Sequence, residues 1–240
     1  MTGAPCLLVF AKVPVPGRVK TRLTPPLTPE QGAALYRAFL LDALDAFADQ
    51  AAGRADPLGL GGPVSVRLYL DEEPPPGLVP DGISVHRQAG DGLGARMAAA
   101  FLTAFRDGHD RIVVVGTDHP TLPLPFLGEA FRQLAEPMTL AVAPSDDGGY
   151  VFLGLNEFAP ALFAMRFSHD AVFADTLGAA MASGLQAVLL PEHYDVDTIG
   201  DLARLAGEWS AGAAVGARTD SALRALTERP ELAAYFSGPT

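Results

Sequence analysis

Residues 6–22 read CLLVFAKVPVPGRVKTR, an apolar run that passes straight into a loop carrying Lys12, Arg18, Lys20 and Arg22. The run Cys6 to Ala11 has the length and make-up of a buried strand, so the loop falls at the carboxyl end of a sheet strand, where open α/β folds bind their ligands. Pro14, Pro16 and Gly17 stop the strand and forbid a helix. Arg18 and Arg22 supply planar cationic forks and Lys20 a point charge, all suited to phosphate oxygens. A polyphosphate is the guest this chemistry fits. The spacing is neither the G-x-x-x-x-G-K-[ST] of a P-loop nor the G-x-G-x-x-G of a dinucleotide fold, which sets ordinary ATPase and NAD-dependent readings aside.

The loop stands out because the chain is acidic: 17 Lys and Arg face 28 Asp and Glu, for a formal charge of -11 over 240 residues. Such a balance argues against a general nucleic-acid binder and leaves small anionic substrates open. The length suits a single α/β domain spanning residues 1–240. No apolar stretch reaches the ~18 residues of a membrane span, and the N-terminus lacks a signal-like pattern, so a cytoplasmic protein is expected. The single Cys6 lies inside the first strand, which excludes an intrachain disulfide or thiol cluster and predicts a buried, inert thiol.

Outward from the loop, Thr28 is placed to cap a helix through Leu35, Phe39, Leu40, Leu44 and Phe47. Strands are expected at Val64–Leu70, Ile83–Arg87, Arg111–Val115, Met138–Ala143, Tyr150–Leu155 and Leu185–Leu190. Helices are expected through Arg96 to Phe105 and over Phe126–Ala135, Ala171–Ala182 and Thr198–Trp209. This βα alternation implies a mostly parallel sheet covered on both faces. The tail from Gly212 is expected to add one helix, Ser221–Glu228.

Asp118 ends the most apolar strand, in Gly116-Thr117-Asp118, a position suited to a hard cation such as Mg²⁺ or Mn²⁺. These ions take oxygen ligands, keep several waters and bridge to substrate phosphates, so one or two protein carboxylates suffice. Asp195 or Asp197, in Tyr194-Asp195-Val196-Asp197-Thr198, follows another strand and could complete the site, with Thr198 as a helix cap. In Asp146-Asp147-Gly148-Gly149-Tyr150 the D-G pair signals a tight turn, while the two glycines allow a close approach of backbone to a ligand. Its carboxylates could meet sugar hydroxyls or take up a proton. Gly92 and Gly94 precede a helix, whose free N–H groups with Arg96 could hold an anion. His119, His169 and His193 share no metal-binding spacing and are expected not to be ligands.

These segments, in this order, resemble bacterial transferases of the nucleotide-diphospho-sugar transferase superfamily, the group of glycosyltransferases associated with radical-SAM or arsenosugar-biosynthesis genes. The likeness is carried by Phe10-Ala11-Lys12 with Pro16-Gly17-Arg18-Val19-Lys20-Thr21-Arg22-Leu23, Gly92-Leu93-Gly94-Ala95-Arg96-Met97, Gly116-Thr117-Asp118 with Pro120, Asp146 to Tyr150 and Asp195 to Thr198. It departs at His119, where the family more often has a small residue, and at Phe167-Ser168-His169, where a Trp-Ser-Thr sequence is associated with it. The resemblance implies a GT-A fold, a three-layer α/β/α sandwich whose mostly parallel sheet has one antiparallel strand. It also implies a site for a nucleotide diphosphate and a divalent metal.

On that reading Asp118 and Asp197 hold Mg²⁺ or Mn²⁺. Lys12, Gly17, Arg18, Lys20, Arg22 and Arg96 bind the nucleotide. Asp118 with Asp146 or Asp147 serves catalysis toward a small-molecule acceptor. The first half also resembles nucleotidyltransferases that make guanylylated cofactors, in which a Lys-Thr-Arg-Leu loop embraces a triphosphate. That leaves nucleotidyl transfer with pyrophosphate release, or nucleotide binding without turnover, as alternatives.

Overall fold

The computed structural model describes residues 3–236. Strands β1 (Cys6–Ala11), β2 (Ser65–Leu70), β3 (Ser84–Arg87), β4 (Ile112–Val115), β5 (Thr139–Pro144), β6 (Tyr150–Leu155) and β7 (Gln186–Leu189) form one seven-stranded sheet in the order β3-β2-β1-β4-β6-β5-β7. Only β6 runs against its neighbours β4 and β5; the other pairings are parallel. The expected single antiparallel strand is thus β6, and the carboxyl ends of β1, β4 and β5 share an edge with the start of β6.

The helices are α1 (Pro29–Ala51), α2 (Gly92–Arg106), α3 (Pro125–Gln133), α4 (Val172–Ala182), α5 (Ile199–Ser210), α6 (Ala217–Thr227) and a short α7 (Ala233–Phe236). Alternation along β1 divides the core: Leu7 and Val9 face α1 and α3, packing with Leu44, Phe47, Leu127 and Phe131. Cys6 and Leu8 face the other layer, with Met97 and Phe101 of α2 and Ala180 of α4. Two-sided burial is why the central strands read as unbroken apolar runs. Burial also pushes the Cys6 thiol up to about 11, so it stays protonated and inert.

A third cluster positions the site. Leu23 and Leu27, just beyond the basic loop, pack with Phe39 of α1, Tyr194 and Val196, Leu202 and Leu205 of α5, and Leu223 of α6. Each fully buried leucine contributes about 1.5–3 kcal/mol, so this cluster clamps the loop after β1 against the segment 194–197. At α1, Thr28 Oγ1 accepts from Gln31 N at 3.2 Å while Gln31 Oε1 accepts from Thr28 N at 2.7 Å, fixing where the loop ends.

The tail differs from expectation. α6 begins at Ala217, one turn earlier than its own residues indicate, because Asp42 of α1 caps it from outside: its carboxylate accepts from Thr219 N at 2.8 Å and from Thr219 Oγ1 at 2.7 Å. Gly216 is needed there, since a Cβ would lie 2.2 Å from the Asp42 carboxyl carbon.

Candidate active site

A cavity of about 600 Å³ opens at the carboxyl edge of β1 and β4. Of the residues singled out from sequence, Lys12, Arg18, Lys20, Arg22, Arg96, Asp118, Asp195 and Asp197 all line it. The basic loop and the acid after the valine-rich strand therefore share one hollow.

Its centre is Lys20. The backbone there is left-handed, with φ 48° and ψ 36°, and turns the side chain inward. The side chain is 3% exposed and its Nζ lies between two acids, at hydrogen-bond distance from Asp118 Oδ1 and 2.9 Å from Asp197 Oδ1. Burial alone would lower the Lys20 pKa, but Asp118 and then Asp197 outweigh it and hold the ammonium above its ordinary value. The other cations stand at the rim. Arg22 Nη1 lies 3.9 Å from Asp197 Oδ2 and is largely exposed. Arg18 leans away to Glu72 at 2.5 Å and Asp71 at 3.9 Å. Arg96 bonds to Gly90 O at 3.2 Å and Gln88 Oε1 at 3.3 Å. Gly17 adopts φ +75°, as a tight turn before Arg18 requires.

Tyr36 and Gln88 carry no chemistry legible in sequence yet tie the walls together. The Tyr36 hydroxyl accepts from Lys12 N at 2.9 Å and from Thr117 Oγ1 at 3.3 Å, joining the ends of β1 and β4. Burial, with the Asp118 charge, pushes this phenol up to about 12. Gln88 Nε2 donates to Ala11 O at 3.0 Å and Tyr69 O at 3.1 Å, which locks the ends of β1 and β2. Phe10, Leu93, Met97 and Tyr150 provide apolar wall.

Asp195 and Asp197 separate in role. Asp197 meets Lys20, whereas Asp195 Oδ1 lies 2.7 Å from His119 Nδ1, which also meets Tyr194 O at 3.2 Å. Burial disfavours the charged imidazole, but Asp195 and then Asp118 outweigh it, so His119 titrates above its ordinary value. Asp195, against the opposing effect of burial, is held below the usual carboxylate range by His119. The main chain braces the same group, as Val196 N donates to Asp118 O at 3.0 Å.

The Asp146–Tyr150 turn lies on the same sheet edge, but Asp146 and Asp147 do not line the cavity. Asp146 pairs with Arg204 of α5 at 2.9 Å, and Asp147 Oδ1 accepts from Gly149 N at 3.0 Å within its own turn. The close approach that Gly148 permits is to protein: at φ +87°, a Cβ there would sit 2.0 Å from the Asp170 carbonyl oxygen.

Among the described residues no group of three or more His, Cys, Asp or Glu is arranged to hold a metal. The pair Asp118 and Asp197 nevertheless offers hard carboxylate oxygens of the kind a divalent ion takes. The Lys20 ammonium, a compact positive charge between the two carboxylates, stands in for such an ion and marks the point both can reach.

The mostly parallel seven-stranded sheet with its one antiparallel strand is the fold of solved nucleotide-diphospho-sugar transferase-like proteins, as the resemblance in the motifs implies. The family described as an uncharacterized protein conserved in bacteria (DUF2064) matches residues 63–169. The chain is similar to the crystal structure of a protein from Desulfovibrio desulfuricans G20 provisionally designated a nucleotide-diphospho-sugar transferase. Identity is 28%, coverage is 93% of this chain and 98% of that one, and the TM-score is 0.77. It also shares its fold with a CMP:2-keto-3-deoxy-manno-octonic acid synthetase complexed with CTP, at 10% identity, with 87% and 99% of the two chains covered and TM-score 0.51. A cytidylyltransferase from Leptospira borgpetersenii matches at 15% identity, 99% and 98% coverage and TM-score 0.50. Comparison with functionally curated proteins gave no match. Among the described residues no helix is long and apolar enough to cross a membrane.

Proposed function

We propose that this chain is a divalent-metal-dependent transferase acting on a nucleotide-activated donor, and that the donor is a nucleotide-diphospho-sugar whose sugar passes to a small-molecule acceptor. The observation that carries the reading is Lys20 bridging Asp118 and Asp197 inside a cavity ringed by Lys12, Arg18, Arg22 and Arg96. A cation site beside a cationic rim is what a metal-bound diphosphate needs. The similarity to the Desulfovibrio protein over most of both chains favours a sugar donor.

Asp118 and Asp197 would hold Mg²⁺ or Mn²⁺, which supplies neutralisation of the charge on the departing nucleoside diphosphate. Lys20 and Arg22 share that charge from the protein side, and Lys12 and Arg96 reach it from the rim. Phe10, Leu93, Met97 and Tyr150 offer flat apolar contact to a base or a sugar ring. Tyr36 and Gln88 keep the strand ends that bear these groups from moving apart. The turn at Asp146 and Asp147 takes no part in the cavity as it stands.

A second reading has a specific observation behind it. Five cations line one cavity, enough for a triphosphate, with a phosphorylated acceptor attacking the α-phosphorus and pyrophosphate leaving. The two readings separate by product. Incubation with nucleotide sugars should release nucleoside diphosphate. Pyrophosphate formed from nucleoside triphosphates and phosphorylated acceptors, with nothing from nucleotide sugars, would replace the first reading by the second.

A further inference from the structure

The Lys20 side chain occupies the point that the proposed metal requires, and it is buried there while the two acids that hold it remain open: Lys20 is 3% exposed, Asp118 36% and Asp197 44%. We propose that Lys20 is a tethered guard of the cation site, which excludes free divalent metal from Asp118 and Asp197 until a polyphosphate draws the ammonium away. The inference rests on the transferase reading of this cavity and assigns its order of loading: metal enters with the nucleotide, not before it.

Being part of the chain, the ammonium competes for the two carboxylates at an effective concentration on the order of millimolar. A free metal ion at lower concentration must displace it and leave its charge stranded in a buried position, which is costly. A polyphosphate changes the balance by offering the same ammonium new oxygen partners. Asp118 and Asp197 would then be open to hold the metal while the ammonium keeps phosphate oxygens as partners, so that no charge would be left unpaired.

The fold confines this exchange to the side chain. The Lys20 main chain is pinned, because its carbonyl accepts from Leu23 N at 3.0 Å. Buried Gly32 of α1 packs beside it: a Cβ there would make ordinary contact with the Lys20 oxygen, at 3.5 Å. Leu23 and Leu27 anchor the chain that follows. What remains free is a four-carbon stem ending in a group with three rotatable donors. The Tyr36 ring, whose centroid is 5.7 Å from Nζ, lines the path beside it. Arg22, already 3.9 Å from Asp197, stays at the rim to meet the incoming phosphates.

Two measurements on the full chain test the proposal. For the wild type, melting temperature is followed with Mn²⁺ alone, inorganic pyrophosphate alone and both together. The guard predicts little shift with Mn²⁺ alone and a clear rise with both; a rise with Mn²⁺ alone equal to that with both overturns it. Mn²⁺ binding without phosphate is then measured from the electron paramagnetic resonance signal of the free ion. Lys20→Met should bind Mn²⁺ about tenfold or more tightly than the wild type, because one competing charge is gone. Lys20→Arg should stay near the wild type, and adding Asp118→Asn to Lys20→Met should abolish the gain. Unchanged Mn²⁺ affinity in a folded Lys20→Met protein overturns the guard. If that variant does not fold, the wild-type melting series decides. Failure of the guard with sugar transfer intact leaves the transferase reading standing, whereas absence of product from every donor removes that reading and leaves the metal titrations interpretable.

Discussion

Two buried cations lie at opposite ends of the same sheet, and they are solved differently. At the amino-terminal edge, Arg67 of β2 is 8% exposed, bonds to Asp107 at 2.7 Å and meets His109 Nε2 at 2.9 Å, while His109 Nδ1 reaches Ala4 O at 2.7 Å. Its planar fork is matched by fixed partners, and it does not line the site cavity. At the carboxyl edge, Lys20 is a point charge between two half-open acids beside a hollow. Both satisfy the rule that a buried charge must be paired. Only the second stands at the wall of the site cavity, where a ligand is proposed to exchange with it. The contrast teaches that burial and pairing mark structure, whereas pairing at the wall of a cavity marks chemistry.

The largest expected break in this contrast is Asp118→Asn. Turnover should fall about 10²–10³-fold, as for loss of a group that stabilises developing charge, with a melting temperature near that of the wild type. Steady-state rates beside a thermal melt check it, and unchanged turnover would remove Asp118 from the site. Next, Lys20→Ala combined with Arg22→Ala should weaken nucleotide binding about 10- to 100-fold at low salt, from the loss of two charge-assisted contacts. The deficit should shrink in 0.5 M salt, about where the Debye length approaches contact distance. Titration calorimetry at two salt concentrations reads it.

At the other edge the effect should move from affinity to stability. Arg67→Met removes the buried fork and its bonds to Asp107 and His109, for about 1–3 kcal/mol, while nucleotide affinity stays unchanged. Urea unfolding and the same calorimetry test both halves.

A smaller effect concerns His119 and Asp195. The His119 pKa is raised, so its stabilisation is full below 6.5 and is lost as pH rises through the folded value. The Asp195 pKa is lowered, so its stabilisation is present above 3.8 and is lost as pH falls through the folded value. Metal-free Asp195→Asn should therefore lose most stability against wild type between pH 3.8 and 6.5, with the gap closing on either side. Denaturant melts across pH would show it; a pH-independent gap would contradict the pairing. Smallest of all, Asp146→Ala breaks a half-exposed ion pair and should cost under about 1 kcal/mol, with turnover little altered.

Most of the fold was legible because burial on both faces leaves strands as bare apolar runs, and because Thr28 and Thr198 cap their helices with local partners. The start of α6 was not, since its cap comes from Asp42, 177 residues away in sequence from Thr219. The site was legible as a set of charges: Lys20, Asp118 and Asp197 follow strands that must end together. Their internal order was not. A lysine in a basic, proline-rich loop reads as a point charge for phosphate oxygens, and only the fold places Tyr36 and two acids around it. Tyr36 itself fits the apolar period of α1, and Gln88 follows the short β3 without any pattern. The pairing of His119 with Asp195 spans 76 positions and has no local signal.

The central claim is that the two acids beside Lys20 receive a divalent cation together with phosphates. Anomalous diffraction from crystals of the protein grown with Mn²⁺ and inorganic pyrophosphate tests it most directly. The account predicts one manganese peak shared by Asp118 and Asp197, with phosphate oxygens beside it and the Lys20 ammonium turned onto them. Manganese bound elsewhere, or pyrophosphate held outside this cavity while Lys20 keeps its place between the two carboxylates, would contradict it.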